Sequence, residues 1–302
     1  MKSAELDKNL PLKLPPAEGL ELGGTNITVI GGTGGIGRAL SRRLASNGAQ
    51  VIVVGQAFRD QNVPGISFVK ADLSSIKEAK RVAAELPVES ADIVIFTTGI
   101  MAGPKREVTA EGIERDLAVS YLNRFAMLDE IAPRQGKDRA QSGVKPRVFI
   151  MGFPGTDQKA VVEDLNSERA YKRFSAHSNT VAGNEVLVLQ AAKRYPRIDF
   201  FGLNPGFVKT NIRANLFGSR ALLGVMEWLT GFMTIAPETY ADRMAPLLVS
   251  RELEGRSGAM FNNKAQAILA SPSAKDPKHA EALTAASLQL VARAISSQAK
   301  GG

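Results

Sequence analysis

The sequence predicts an α/β protein with a doubly wound, mainly parallel sheet, and three observations lead to that prediction. Short apolar runs typical of buried strands alternate six times with amphipathic helical patterns along the 302 residues. A glycine-rich turn at residues 31–37 joins the first strand to the first helix. Small and polar residues follow the strands, at the ends where sheets of this class bind their ligands.

Composition excludes several classes of function. The chain has no cysteine and two histidines, which rules out disulfides and thiol chemistry and leaves little for a metal site. The net charge of +8 comes from scattered lysines and arginines, so it does not indicate nucleic-acid binding. No apolar run suits a signal peptide or a membrane span. We therefore expect a soluble protein of the cytoplasm.

The first strand, turn and helix form a candidate dinucleotide site. Residues 26–30 are a β-branched strand, and residues 36–47 carry apolar side chains at every fourth position, as on one face of a helix. Between them, Gly31, Gly35 and Gly37 follow a GxxxGxG spacing. Glycines let the backbone approach a pyrophosphate, and the helix N-terminus offers unpaired N–H groups. A purely structural turn would need fewer than the five glycines in these seven positions.

The residues after the second strand, 50–54, favour NADP over NAD. In an NAD site, an acidic residue about 20 positions after the glycines binds the ribose hydroxyls. Here no acid precedes Asp60, whereas Arg59 or Arg38 could pair with a 2′-phosphate. The alternative is that both arginines are solvated surface groups.

The later elements continue the alternation. A third strand is predicted at residues 66–69, and Ser75 and Glu78 predict a capping box for the helix that follows. Three further strands are predicted at residues 91–96, 147–151 and 198–203. Two long helices are predicted between them, at residues 111–132 and about 168–194. Because the strands are parallel, the residues after them should meet at one edge of the sheet.

One domain accounts for most of the chain. We expect an N-terminal extension over residues 1–24, a dinucleotide-binding and catalytic domain over 25–274, and a helical tail over 275–302. Within the domain, the apolar residues 207–236 predict a helical substrate flap. The alternative for this segment is an amphipathic helix packed on the core.

Several motifs occur in a familiar order: the glycine turn, Asp72, Thr97-Thr98-Gly99 and Pro205-Gly206-Phe-Val-Lys-Thr210. Together they resemble the short-chain dehydrogenase/reductase family, whose fold is of the Rossmann type, and especially its retinol-dehydrogenase-like branch. The chain also resembles divergent fungal members of specialised metabolism. The resemblance covers about residues 25–265. Relatives often dimerise through the two long helices, so we expect a homodimer or a homotetramer.

The resemblance implies an NADP(H) site along the strand ends. In the family, the aspartate contacts adenine and the threonine of the Pro-Gly-xxx-Thr element holds the nicotinamide amide. The residues that match cofactor-binding positions, or that we expect at the phosphate, are Gly31, Thr33, Gly35, Ile36, Gly37, Arg38, Arg59, Asp72, Thr98, Gly99, Pro205, Gly206, Val208 and Thr210.

All four catalytic positions of that family are changed. Where the family has Asn, Ser, Tyr and Lys, this chain has Ser120, a residue within 151–153, His177 and Val181. Tyr171 lies six residues before His177 but has no lysine at i+4. Free histidine titrates at about pH 6.5, so His177 could act as an acid or a base. The alternative is that His177 fills space in a site that has lost catalysis.

Two charged residues are further catalytic candidates. Asp164 lies between the fifth strand and the helix of His177, in a loop that often borders the substrate. Arg124 lies one helical turn after Ser120, so it could face the same cleft. Either residue could instead form an ordinary ion pair.

We therefore expect an NADPH-dependent reductase with a rebuilt site, acting on a bulky small molecule in biosynthesis. Reduction of an imine or iminium, coupled or not to cyclisation, suits a site without the tyrosine, because C=N⁺ accepts hydride without a proton donor. Asp164 would stabilise that cation. Two alternatives stay open: a non-redox isomerase or cyclase that binds the dinucleotide structurally, and a catalytically inactive NADP-binding sensor.

Overall fold

The computed structural model describes residues 4–139, 144–206, 208 and 235–297. Its strands are β1 (Asn26–Ile30), β2 (Gln50–Gly55), β3 (Ile66–Lys70), β4 (Ile93–Phe96), β5 (Arg147–Met151), β6 (Asp199–Leu203), β7 (Met260–Phe261) and β8 (Ala267–Ile268). Its helices are α1 (Gly35–Ser46), α2 (Ile76–Glu85), α3 (Arg115–Leu117), α4 (Asn123–Ile131), α5 (Arg173–Arg194), α6 (Pro237–Val249), α7 (Pro272–Lys275) and α8 (Pro277–Ser296). A π-helical segment, Ala118–Leu122, joins α3 to α4.

The sheet has the order β3-β2-β1-β4-β5-β6-β7-β8. The strands from β3 to β7 are parallel, and β8 pairs antiparallel with β7. The chain runs outward from β1 to β3 and then returns to the centre at β4, so the carboxyl ends of β1 and β4 are neighbours. The predicted doubly wound, mainly parallel sheet is confirmed.

Two hydrophobic clusters cover the two faces of the sheet. One face packs against α1 and α6, and the other packs against α2, α4, α5 and α8. Strands β4, β5 and β6 are buried along their whole length, as expected for parallel strands covered on both faces. None of the helices in the described ranges is long and apolar enough to cross a membrane.

Both ends of the described chain pack on this domain. In the predicted extension, Ala17 and Leu22 are buried, and Leu6 forms an antiparallel bridge with Ile268. In the predicted tail, α8 buries Leu283 in the main core, which is the hydrophobic cluster shared with α2, α4 and α5. Neither segment is therefore a separate appendage, because each contributes apolar side chains to the core.

Several element boundaries differ from those predicted. The helix expected from residue 111 begins at Arg115, and the helix expected from about residue 168 begins at Arg173. Helix α6 and the short strands β7 and β8 were not predicted. Of the predicted flap, only Val208, Ile235 and Ala236 are described. Its other residues, which include the predicted nicotinamide contact Thr210, lie outside the described ranges.

A long-range contact explains why the helix starts late at residue 115. The Glu111 carboxylate accepts the backbone N–H groups of Ile76 (2.7 Å) and Lys77 (3.1 Å) at the start of α2. Only half of the predicted capping box forms: Ser75 Oγ accepts the Glu78 N–H at 3.1 Å, while Glu78 pairs with Arg81. Glu111 therefore binds the first N–H groups of α2, while the Ser75 N–H donates to the Asp72 carbonyl at 3.2 Å.

Candidate functional site

The residues that follow four strands meet at one edge of the sheet. Thr97 Oγ1 donates to the Ile30 carbonyl at 3.0 Å, which joins the ends of β4 and β1. The Gly152 N–H donates to the Leu203 carbonyl at 2.9 Å, which joins the ends of β5 and β6. The sequence-predicted positions after β1, β4, β5 and β6 are therefore brought together.

The glycine turn fits a dinucleotide, although not every glycine serves the ligand. Gly31 has φ +92°, and a Cβ there would lie 2.6 Å from the Thr98 nitrogen. A Cβ at Gly37 would lie 2.5 Å from the Gly31 carbonyl oxygen. These two glycines are thus required by the packing of β1, α1 and β4. Gly34, by contrast, has open space at its Cβ position and is the N-cap of α1.

The N-terminus of α1 is the feature that fits a pyrophosphate. It has no side-chain cap and no acidic residue in its first turn. Its first N–H groups and the positive end of the helix dipole are therefore open to an anion. Thr33 and Ile36 flank this turn, with Thr33 against Gly55 at the end of β2 and Ile36 buried.

The two arginines predicted at the phosphate have different surroundings in the structure. Arg38 makes three hydrogen bonds to buried Asp60: Nε donates to Oδ2 at 2.8 Å and to Oδ1 at 3.1 Å, and Nη2 donates to Oδ1 at 2.7 Å. Arg42 binds the same carboxylate at 3.0 Å. Hydrogen bonding to Arg38 lowers the pKa of Asp60. Arg38 is therefore held by an acid that the sequence analysis had set aside. Arg59 is exposed and, within the described chain, has no ion-pair partner.

The adenine end has the predicted acid in place. Asp72 follows β3, and its Oδ1 accepts hydrogen bonds from Gln56 Nε2 at 2.8 Å and from the Ser74 N–H at 3.0 Å. Gln56 directly follows β2, where an NAD-binding acid would be expected. This region therefore offers a neutral amide where the sequence analysis looked for a carboxylate.

On the nicotinamide side, Pro205 and Gly206 follow β6 as predicted. The Gly206 N–H donates to Asn204 Oδ1 at 3.0 Å, and Asn204 Nδ2 donates to the Pro154 carbonyl at 2.9 Å. Val208 is buried and bridges Ile235. This turn is thus fixed to the loop after β5.

His177 lies beside this edge and forms a pair with Asp116. Its Nδ1 is 2.8 Å from Asp116 Oδ2, and Asp116 has no exposed surface. An ionised carboxylate can only accept, so Nδ1 carries the proton. His177 keeps 27% of its side-chain surface exposed. Its Nε2 has no hydrogen-bond partner among the described residues and is available to a substrate.

The π-helical segment places Ser120 next to this pair. Ser120 Oγ donates to Asp116 Oδ1 at 2.5 Å and accepts the Ile100 N–H at 3.0 Å. The Ala102 N–H donates to Asp116 Oδ2 at 3.1 Å. A π-helical turn often occurs at functional sites. Here it joins the loop after β4, which contains Gly99, to the carboxylate that holds His177.

Arg124 does not face the cleft as predicted. It is only 2% exposed, and its guanidinium donates to the carbonyls of Thr98 and Met151 and, at 2.9 Å, to Asn184 Oδ1. Burial lowers the pKa of Arg124, and the charge of Asp116 opposes that shift. Arg124 therefore joins the ends of β4 and β5 to α5, and its hydrogen bonds leave little of it for a substrate.

Asp164 does not serve as the predicted anion of the cleft either. Its Oδ1 accepts the Glu168 N–H at 2.7 Å and its Oδ2 accepts the Ala170 N–H at 3.1 Å, so it stabilises its own loop. Tyr171 donates its hydroxyl to the Gly103 carbonyl at 2.7 Å, and burial raises its pKa. The Asp164 oxygens are thus engaged by backbone N–H groups of its own loop, and the Tyr171 hydroxyl proton is engaged by a backbone carbonyl.

Asp116 is the site residue that the sequence analysis missed. An acid in an amphipathic helix is usually a solvated surface group, and nothing local marks Asp116 as buried. Its spacing of four residues from Ser120 places the two on one helical face and was the available signal. Its partner His177 lies 61 residues away, so only the tertiary structure reveals the pair.

Comparisons with known proteins agree with this class of fold. The short chain dehydrogenase family model matches residues 25–144. "Uncharacterized oxidoreductase YKL107W" of Saccharomyces cerevisiae is 50% identical over 252 residues, covering 82% of each chain. Human retinol dehydrogenase 12 is 26% identical, covering 90% of this chain and 88% of its own.

A solved structure agrees at the level of the fold. The Pseudomonas aeruginosa RhlG/NADP complex superposes with a TM-score of 0.60 at 19% identity, covering 80% of this chain and 95% of that one. Fold and strand-end site together define a nucleotide-binding oxidoreductase of the Rossmann type. The chain belongs to the short-chain dehydrogenase/reductase family.

Proposed function

We propose that this protein is an NADP(H)-dependent reductase of small carbonyl compounds in which His177 is the proton donor. The observation that carries the proposal is the His177–Asp116 contact of 2.8 Å beside the strand ends. A bound nicotinamide would supply the hydride for the carbonyl carbon. The oxygen then gains negative charge, and a positioned acid is needed there. The imidazolium form of His177, protonated on both ring nitrogens, can donate that proton from Nε2 and keep the proton on Nδ1.

This proposal revises the imine preference drawn from the sequence. The argument for an imine was that the site lacked an acid and had Asp164 as an anion. The described geometry offers His177 as an acid and engages Asp164 with backbone N–H groups. Imine reduction stays a second candidate for one reason: neutral His177 with ionised Asp116 leaves a negative charge that would favour a cation.

Comparing His177→Phe with wild type tests the proton donor. We expect the variant to lose at least about 10²-fold in kcat for aldehydes and ketones, because general acid catalysis contributes about 10²–10⁴-fold. Cofactor affinity, measured by calorimetry, should stay unchanged. Full carbonyl turnover by the folded variant would overturn the proposal. Turnover of cyclic imines that survives in His177→Phe would favour the second candidate.

NADP preference is part of the proposal and rests on Arg59. Arg59 is exposed and without a described partner, whereas Arg38 is held by Asp60. A guanidinium is well suited to pair with a 2′-phosphate. We therefore expect Arg59→Ala to weaken NADPH binding about tenfold and to leave NADH binding unchanged, as measured by calorimetry.

Arg251→Ala, a change at an exposed arginine, is the control and should alter neither affinity. Equal binding of NADPH and NADH by wild type would contradict the cofactor assignment. If NADPH is preferred but Arg59→Ala binds it normally, the phosphate contact belongs to another residue.

A further inference from the structure

Asp116 is more constrained than a residue that merely fills space. It has no exposed surface, and both of its oxygens are engaged. Oδ1 accepts from Ser120 Oγ at 2.5 Å, while Oδ2 accepts from the Ala102 N–H at 3.1 Å and lies 2.8 Å from His177 Nδ1. With these contacts on both oxygens, the carboxylate cannot rotate freely. The direction of its hydrogen bond to His177 is therefore fixed.

The buried charge of Asp116 also lacks a direct cationic partner other than His177. Among the described residues, no lysine or arginine forms an ion pair with Asp116; Arg124 instead donates to Thr98, Met151 and Asn184. A buried carboxylate is costly unless it is paired. Arg124 interacts with Asp116 through space, and a proton on His177 Nε2 adds a positive charge on a ring in direct contact with the carboxylate.

We propose that Asp116 is a positioning residue for the reaction of His177. It holds the Nδ1 proton, which directs Nε2 to the substrate, and its charge stabilises the imidazolium that donates the proton. Ser120 and the Ala102 N–H keep the carboxylate in place. This inference rests on the proposed function for the role of His177 in turnover, but the His177–Asp116 arrangement can be measured without turnover.

Other ionisable groups surround the pair and must be considered. Glu114 is the buried N-cap of α3, and burial raises its pKa. Arg124 and Tyr171 lie within electrostatic range of Asp116. Arg106 acts on Glu114, and Glu107 and Arg173 act on Tyr171. All of these groups are kept in Asp116→Asn, so a difference from wild type reports the Asp116 charge.

The first measurement is NMR of protein with ¹⁵N-labelled histidine, since the chain has only His177 and His279. His279→Gln assigns the signals. In wild type, we expect the neutral His177 ring to carry its proton on Nδ1. In Asp116→Asn, the amide can donate to Nδ1, so the proton should move in part to Nε2.

The second measurement is the pH dependence of kcat for carbonyl reduction. The reaction consumes the protonated ring, so the rate should fall as pH rises. Without the negative charge of Asp116 next to the ring, that fall should occur at lower pH than in wild type. At neutral pH the rate should drop about tenfold or more. Asp129→Asn, a change at a surface carboxylate that binds Arg194, should leave the profile unchanged.

The outcomes separate this inference from the proposed function. If folded Asp116→Asn keeps the wild-type tautomer and pH profile while His177→Phe is inactive, the role of Asp116 is overturned and His177 remains the donor. If His177→Phe is fully active, the proposed function is wrong whatever the NMR result. An altered tautomer together with a rate that falls at lower pH supports the inference.

Discussion

Gly34 and Gly37 lie three residues apart in the turn after β1, and their surroundings differ. A Cβ at Gly37 would contact Thr97 Oγ1 and lie 2.5 Å from the Gly31 carbonyl oxygen. A Cβ at Gly34 would meet no atom of the described residues within 4 Å. Gly37 is therefore required by the protein's own packing, while the space beside Gly34 is open for a ligand.

This difference predicts that alanine at Gly37 lowers stability, whereas alanine at Gly34 weakens dinucleotide binding. Gly37→Ala should lower the free energy of unfolding by about 1–3 kcal/mol, because backbone atoms must shift to make room. Gly34→Ala should keep that free energy within about 1 kcal/mol of wild type. It should nevertheless weaken binding of the dinucleotide. Urea denaturation and calorimetry measure the two effects. Equal stability of the variants would contradict our assignment of Gly37.

At the scale of the element, the helix over residues 115–131 is held against α5 by hydrogen bonds. Its π-helical segment contains Ser120, whose carbonyl accepts a hydrogen bond from Asn184 Nδ2 at 2.8 Å. Asn184 also accepts from Arg124 at 2.9 Å. These bonds fix this helix against α5, which carries His177. The distance between Asp116 and His177 therefore depends on the packing of two helices.

The start of α2 also depends on a distant residue. Ser75 caps the helix as its sequence predicts, and Glu111 supplies further oxygens from 35 residues away. Residues 109–114 form a turn in which the Gly112 N–H donates to the Thr109 carbonyl at 2.9 Å, and Glu114 is the N-cap of α3. The same turn is bound by Asn166, whose Oδ1 accepts the Glu114 N–H at 2.7 Å. One turn thus connects α2, α3 and the loop before α5.

At the scale of the whole molecule, α8 packs against α2 and α5. Ser287 of α8 shares a hydrogen bond of 2.8 Å with Tyr121 of the π-helical segment. The chain's own C-terminal helix thus covers part of the surface formed by the long helices. The homodimer or homotetramer stays a prediction. A dimer through this surface would have to accommodate α8.

Two leucines on α8 offer a matched test of how much this helix contributes to the stability of the fold. Leu283 is fully buried in the main core, whereas Leu288 is 49% exposed. Leu283→Ala should cost about 2–5 kcal/mol, because it leaves a cavity as well as removing buried apolar surface. Leu288→Ala should change stability by no more than about 0.5 kcal/mol. Urea denaturation measures both values. Near-equal values would mean that α8 is not part of the cooperative core.

Much of the fold and of the cofactor region could be predicted from local patterns. Short apolar runs marked the parallel strands and period-3.6 hydrophobicity marked most helices, because burial on one or both faces leaves a local signature. The glycine turn was found from its spacing, and Asp72 from its match to a family motif. Helix α6 and strands β7 and β8 were missed. The two strands have only two residues each, too short to show a period.

The proposed catalytic arrangement depends instead on contacts between distant residues. His177 was recognised from its position in a motif, but its partner Asp116 is 61 residues away on another helix. Arg124 and Asp164 were chosen for their charge, and the structure engages both with backbone groups. A side chain's charge is visible in the sequence. Its direction, its burial and its hydrogen-bond partner are decided by how helices and strand ends pack together.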